Sequence, residues 1–220
     1  MIKAVFFDLD GTLYDRDALV RALILEQHAA FAADLTGISR GHFVNRIIEM
    51  DDHGYGDKAD GYKQVIEEWH LRPDLATKLV DHFWAHYDGF CHVSADTAMV
   101  LQTLKAHGKQ IGVITNGSTE RQRSKLEALG LLSTFDVVLI SEAEGVRKPA
   151  GEIFRRALCQ CGVEAGEAAF VGDHPETDVE GAKNAGLLPI WKHVPYWSLP
   201  SDDVFTVHKL SEILPICLGQ

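Results

Sequence analysis

The chain has 220 residues, enough for one core with a modest insertion, and 46% of them are hydrophobic against 24% charged. That composition excludes a disordered, collagenous or coiled-coil chain, and no apolar run is long enough to span a bilayer. The 32 Asp and Glu outnumber the 21 Lys and Arg, giving a formal net charge of −11 that repels nucleic acid polymers, with no basic run to overcome it.

In chain order, Ile2 to Asp8 is an apolar run closing in an acid, the pattern of a buried parallel strand. It lacks the sections of a signal peptide, so the expected compartment is the cytoplasm. From residue 15 to about 92 the pattern is helical: Ala18–Leu35, Gly41–Met50, Asp60–Trp69 and Asp74–Tyr87. Strand and helix then alternate. Strands are predicted at Gln110–Thr115, Val137–Ser141, Ala168–Val171 and Leu188–Trp191, with a short edge strand at Val204–Val207. Helices are predicted at Thr97–His107, Glu120–Leu129, Glu152–Cys161, Glu176–Ala185 and Leu210–Leu214. Several of them close on a glycine just past the last apolar position. Such alternation implies an α/β, Rossmann-like parallel sheet covered on both faces, with chemistry at the carboxyl ends of its strands. The expected domains are a core of 1–14 and 93–220 and a helical cap of 15–92.

Chemistry-bearing residues sit where four of these strands end. Asp8-Leu9-Asp10-Gly11-Thr12 puts two carboxylates two positions apart, and they repel each other unless a cation sits between them. A hard divalent cation with oxygen ligands, magnesium above all, answers that need. The acid spacing of a calcium loop is absent. Thr115-Asn116-Gly117-Ser118 offers a hydroxyl, a turn and a helix N-terminus, a small anion site or an ordinary turn. Lys148 precedes Pro149 between a strand and a helix; alone it reads as a solvated lysine. Gly172-Asp173 with Asp178 supplies a second acid pair, which singly reads as helix capping.

Acid pair, hydroxyl, lysine, acid pair, in this order and spacing, resemble the haloacid dehalogenase-like hydrolase superfamily. The resemblance covers 1–14 and about 93–220, and the insertion is similar to that family's α-helical cap. It implies that Asp8 is the nucleophile, forming an aspartyl-phosphate, and that Asp10 is general acid and then base. Thr115, the Asn116 backbone and Lys148 would bind the phosphoryl oxygens. Asp8, the main-chain carbonyl of Asp10, and Asp173 would ligate magnesium, with Asp178 reaching it through water. The family's dehalogenases and phosphonate hydrolases lack the second acid. Its presence here favours a phosphatase acting on a small phosphorylated metabolite. Sugar phosphomutases keep that acid and remain an alternative, as does, from another class, a non-catalytic phospho-acceptor switch. The expected state is a monomer or homodimer with no membrane partner.

Weaker signals complete the reading. His82 and His86, four apart on one helix, have metal-ligand spacing but read as a partly exposed face. Cys91, Cys159, Cys161 and Cys217 read as buried free thiols. Trp191, Tyr196 and Trp197 are expected to cover the sheet end. The polar, glycine-rich stretch Asp51–Lys58 is expected to be a non-helical connection, either plainly solvated or bringing His53 and Tyr55 to a leaving group.

Overall fold

The structure is a computed structural model that describes residues 1–198 and 203–219. Residues 199–202 and 220, within the expected core segment 93–220, lie outside the described residues. Contacts divide the chain into two compact units, Met1–Tyr14 with His92–Gln220, and Asp15–Cys91.

The first unit is an α/β domain built on one parallel sheet: β1 Ala4–Phe7, β2 Gln110–Thr115, β3 Val137–Ile140, β4 Ala168–Gly172, β5 Leu188–Lys192 and β6 Phe205–Val207, in the order β3-β2-β1-β4-β5-β6. All of β1 is buried, because helices cover both faces of a parallel sheet. Phe7 lies opposite Val113 of β2 on one side and Val171 of β4 on the other. The chain therefore winds outward from β1 in both directions, and the carboxyl end of β1 sits at the switch point where such sheets bind ligands.

Ten α-helices are found among the described residues: α1 Arg16–Ala30, α2 Arg40–Asp51, α3 Lys58–Glu68, α4 Asp74–Tyr87, α5 Ala95–Ala106, α6 Thr119–Ala128, α7 Ser141–Glu144, α8 Gly151–Cys161, α9 Gly181–Asn184 and α10 Ile213–Leu218. On one sheet face Ile153, Phe154, Ala157 and Leu158 of α8 join Phe6, Ile114, Leu139 and Phe170 in a single core. The rings of Phe154 and Phe170 meet edge-on at 5.2 Å.

Several elements differ from expectation. β1 is shorter than Ile2–Asp8, and α1 stops at Ala30 rather than Leu35. The segment read as one helix, Glu176–Ala185, is a wide π-type turn over Pro175–Glu180 followed by the short α9. The His174 ring caps it, Nδ1 accepting from the N–H groups of Glu176 and Thr177 at 3.1 and 3.2 Å. Ser141 opens α7 rather than ending β3.

The second unit is four helices, α1 to α4, around Leu19, Leu23, Phe43, Val65, Leu79 and Phe83. Gln27, fully buried, donates to the Leu79 carbonyl at 2.8 Å and accepts from the Tyr62 hydroxyl at 2.6 Å, so no polar atom of its amide is stranded there. The 51–58 segment is more structured than its composition implies: Asp51 ends α2, Asp52–Gly54 form a 3₁₀ turn, and Lys58 opens α3. Buried Asp51 accepts a forked pair from Arg16 at 2.6 and 3.0 Å and also binds Lys58. These cations hold its carboxyl below the usual range against the opposing effect of burial. His53 bonds Asp17 at 2.6 Å, whereas Tyr55 is exposed. Asp51→Asn strands two cations around a neutral amide and is expected to cost about 3 kcal/mol, read as a lowered urea midpoint; an unchanged midpoint would refute this pairing as a structural tie.

His82 and His86 stack at 3.9 Å on the partly exposed face expected: His86 is exposed, and His82 is half-buried with its ring 5.2 Å from that of Phe31. The thiols are free, but Cys159 is exposed and Cys91 half-buried, which corrects the expectation that they are buried. No helix among the described residues is long and apolar enough to cross a membrane.

Candidate active site

The four expected groups converge beyond the carboxyl ends of β1 to β4. Asp8 prolongs β1, its N–H donating to the Val171 carbonyl at 2.9 Å. Its Oδ1 accepts from Lys148 Nζ at 2.5 Å, and the same ammonium donates to Asp178 Oδ1 at 2.7 Å. Lys148 is buried, with Nζ 5.1 Å from the centre of the Phe170 ring. Asp173, just past β4, accepts from the Thr12 hydroxyl at 3.1 Å, and its main-chain carbonyl accepts from the buried Trp191 indole at 2.7 Å. Asp178 also accepts from the His174 N–H at 3.1 Å.

Glycines make the crowding possible. Gly11 has φ +82°, and a Cβ there would stand 2.7 Å from Asp173 Oδ2. At Gly172 a side chain would collide with the Asp178 carboxylate.

Asp8, Asp173 and Asp178 each offer a carboxylate oxygen, all within 4.8 Å of one another and all from buried residues. Lys148 is the cation that touches two of them. Burial opposes its charge, but Asp178 and Asp8 outweigh burial and hold the ammonium firmly protonated. One lysine does not neutralise three buried acids. Burial, reinforced by Asp178 and Asp10, pushes Asp8 up to about 7, although Lys148 pulls it down. Burial and then the charges of Asp8 and Asp178 push Asp173 well above the usual carboxylate range. This is an acceptor-rich, oxygen-only pocket with excess negative charge, and it fits a hard divalent cation.

Opposite the acids, Thr115 closes β2 and its buried hydroxyl accepts from Gln122 Nε2 at 2.5 Å. That leaves the hydroxyl hydrogen for an acceptor such as a phosphoryl oxygen. The Asn116 side chain spans the gap to the next motif, donating to the Lys148 carbonyl at 3.0 Å and accepting from the Lys148 N–H at 2.9 Å. Its amide therefore fixes the lysine backbone.

Asp10 does not join the carboxylate trio. Its side chain faces α6, where Lys125 Nζ donates to both oxygens at 2.8 and 2.9 Å and Gln122 Nε2 donates to Oδ2 at 2.9 Å. The Tyr14 hydroxyl donates to Oδ1. Sequence reasoning missed Tyr14, Gln122 and Lys125. The available signal was periodicity: Gln122 and Lys125 lie in phase with Leu126 and Leu129, on the face α6 buries.

Comparison with known proteins agrees with this architecture. The sequence pattern of the haloacid dehalogenase-like hydrolases matches residues 2–186. The chain belongs to that family and is an enzyme of the hydrolase class. It is 30% identical over 225 residues to the glyceraldehyde 3-phosphate phosphatase of Methanocaldococcus jannaschii, covering 98% of this chain and 97% of that one. It is 34% identical over 198 residues to the ribulose-1,5-bisphosphate 5-phosphatase of Halopiger xanaduensis, covering 85% and 83%. Among solved structures, a 2-haloacid dehalogenase from Pseudomonas syringae pv. Tomato DC3000 superposes with a TM-score of 0.63 at 29% identity, covering 100% of this chain and 99% of that one.

Proposed function

We propose that the protein is a magnesium-dependent phosphatase that hydrolyses a small phosphate monoester through an aspartyl-phosphate on Asp8. The observation that carries this reading is the separation of the acid pair: Asp8 lies in the buried trio against Lys148, while Asp10 is held apart by α6. Two carboxylates two residues apart thereby have environments suited to two roles. A carbon–halogen bond breaks without a proton for the leaving halide, so dehalogenation would leave Asp10 and its donors without a task. The names of the curated relatives support the same side, both being phosphatases.

In this reading an Asp8 carboxylate oxygen attacks phosphorus as the bond to the leaving oxygen breaks, and Asp10 gives that oxygen a proton. Asp10 then takes a proton from water as the water attacks phosphorus and frees Asp8. Lys148, the Thr115 hydroxyl and the Asn116 main-chain N–H would hold the phosphoryl oxygens and balance the charge developing on them. Asp8, the Asp10 main-chain carbonyl and Asp173 would hold magnesium, with Asp178 acting through water. When bound, the ion supplies positive charge against Asp8 and the phosphoryl oxygens.

A panel of phosphorylated sugars, sugar acids and nucleotides, assayed with magnesium for inorganic phosphate, tests the function. Sustained release from at least one small monoester is expected. Phosphoryl migration within a sugar without release would instead identify a mutase, and a single stoichiometric phosphorylation would identify a switch.

A further inference from the structure

We propose that Lys125 and Gln122 of α6 are positioning residues for proton transfer, fixing the Asp10 carboxylate where it meets the leaving oxygen and the attacking water. The inference rests on the phosphatase reading and adds to it the groups that hold its acid–base residue in place.

The two acids of the first motif each have a lysine, from different elements. Lys148 serves Asp8 and Asp178, and Lys125 serves Asp10. Lys125 is 9% exposed and Gln122 is 2% exposed, on a helix face whose other buried member is Leu126. Burying a cation and an amide there costs stability unless each finds a partner, and apolar residues would pack the same face without that cost. The partner is Asp10. Lys125 and Gln122 from α6 and Tyr14 from the segment after β1 donate to the two carboxylate oxygens, which restricts rotation of the short side chain. Proton transfer needs that carboxylate within about 2.6–3.2 Å of its target, so freedom to rotate is lost rate.

Gln122 does a second thing. Its Nε2 also donates to Thr115 Oγ1 at 2.5 Å, so one amide ties the phosphoryl-binding hydroxyl to the acid–base carboxylate. α6 is itself anchored at its start, where the Thr119 N–H donates to Glu142 at 2.7 Å and Ser118 caps the first turn. The helix thus presents Gln122 and Lys125 from a fixed base.

The proposal separates from simple structural support by leaving-group dependence. Phenyl phosphate and p-nitrophenyl phosphate are alike in shape, but the phenol is the weaker acid and needs the proton more. Lys125→Met and Gln122→Met are expected to lower kcat/KM for phenyl phosphate by about 100-fold, and for p-nitrophenyl phosphate by about tenfold less. KM and the magnesium affinity measured by calorimetry should stay within about threefold, and Lys125→Arg should recover most of the loss. Asp10→Asn, assayed alongside, is expected to show the same split. Equal losses on both esters in the α6 variants, or no loss, while Asp10→Asn keeps the split, would overturn the positioning role alone. A missing split in Asp10→Asn would overturn the acid–base reading and this proposal with it.

Discussion

Asp8→Asn is expected to lower phosphate release by about 10⁴-fold or more while the protein stays folded, because in the proposed reaction the substitution replaces the nucleophilic carboxylate with an amide of the same shape. The main-chain bond from residue 8 to Val171 does not involve the side chain, and Asn keeps the carboxylate's volume. One negative charge also leaves a pocket of three buried acids, and Lys148 keeps its bond to Asp178, so the variant is not expected to lose stability. Turnover and a urea unfolding curve measured on the same preparation check both halves. Hydrolysis near the wild-type rate would remove Asp8 from the reaction.

The second large effect concerns the cation. Excess chelator is expected to lower activity by about 10³-fold, and added magnesium to restore it. Manganese or cobalt should substitute, whereas calcium should inhibit, since its larger and looser coordination places oxygen ligands differently. The structural ground is the charge imbalance that leaves Asp8 raised to about 7 and Asp173 raised well above its usual range. Asp173→Ala should raise the magnesium needed for half-activity more than Asp178→Ala, because Asp178 also binds Lys148 and the His174 N–H. Full activity in excess chelator would contradict a cation in this pocket.

Strands β1 to β4 were legible because each is buried almost throughout and reads as an apolar run ending in a polar group. β2 matches its expected limits, Gln110–Thr115, and α4 its own, Asp74–Tyr87. Convergence of Asp8, Thr115, Lys148 and Asp173 followed from the same argument, since parallel strands deliver their carboxyl ends to one edge. What was not legible depends on contacts distant in sequence. The break between Pro175–Glu180 and α9 accompanies Asp178 turning inward to Lys148, thirty positions away, a demand that local helix propensity does not contain. The opening of α7 at Ser141 is likewise tertiary: Ser141 Oγ accepts from the Gly117 N–H at 3.0 Å, across the strand ends. Lys125 and Gln122 fall in phase with Leu126 and Leu129, but nothing local explains polar residues on that buried face until the partner, Asp10, is known.

The central claim, a phosphoryl group carried by Asp8, is tested most directly by trapping. The enzyme is mixed with magnesium and p-nitrophenyl phosphate, quenched in acid during turnover, and digested for mass spectrometry. The expected result is phosphate on the peptide containing residues 8–12, with fragmentation locating it on Asp8 and no such species from Asp8→Asn. Undiminished phosphate release with that peptide unmodified, or with the phosphate on another residue, would contradict it.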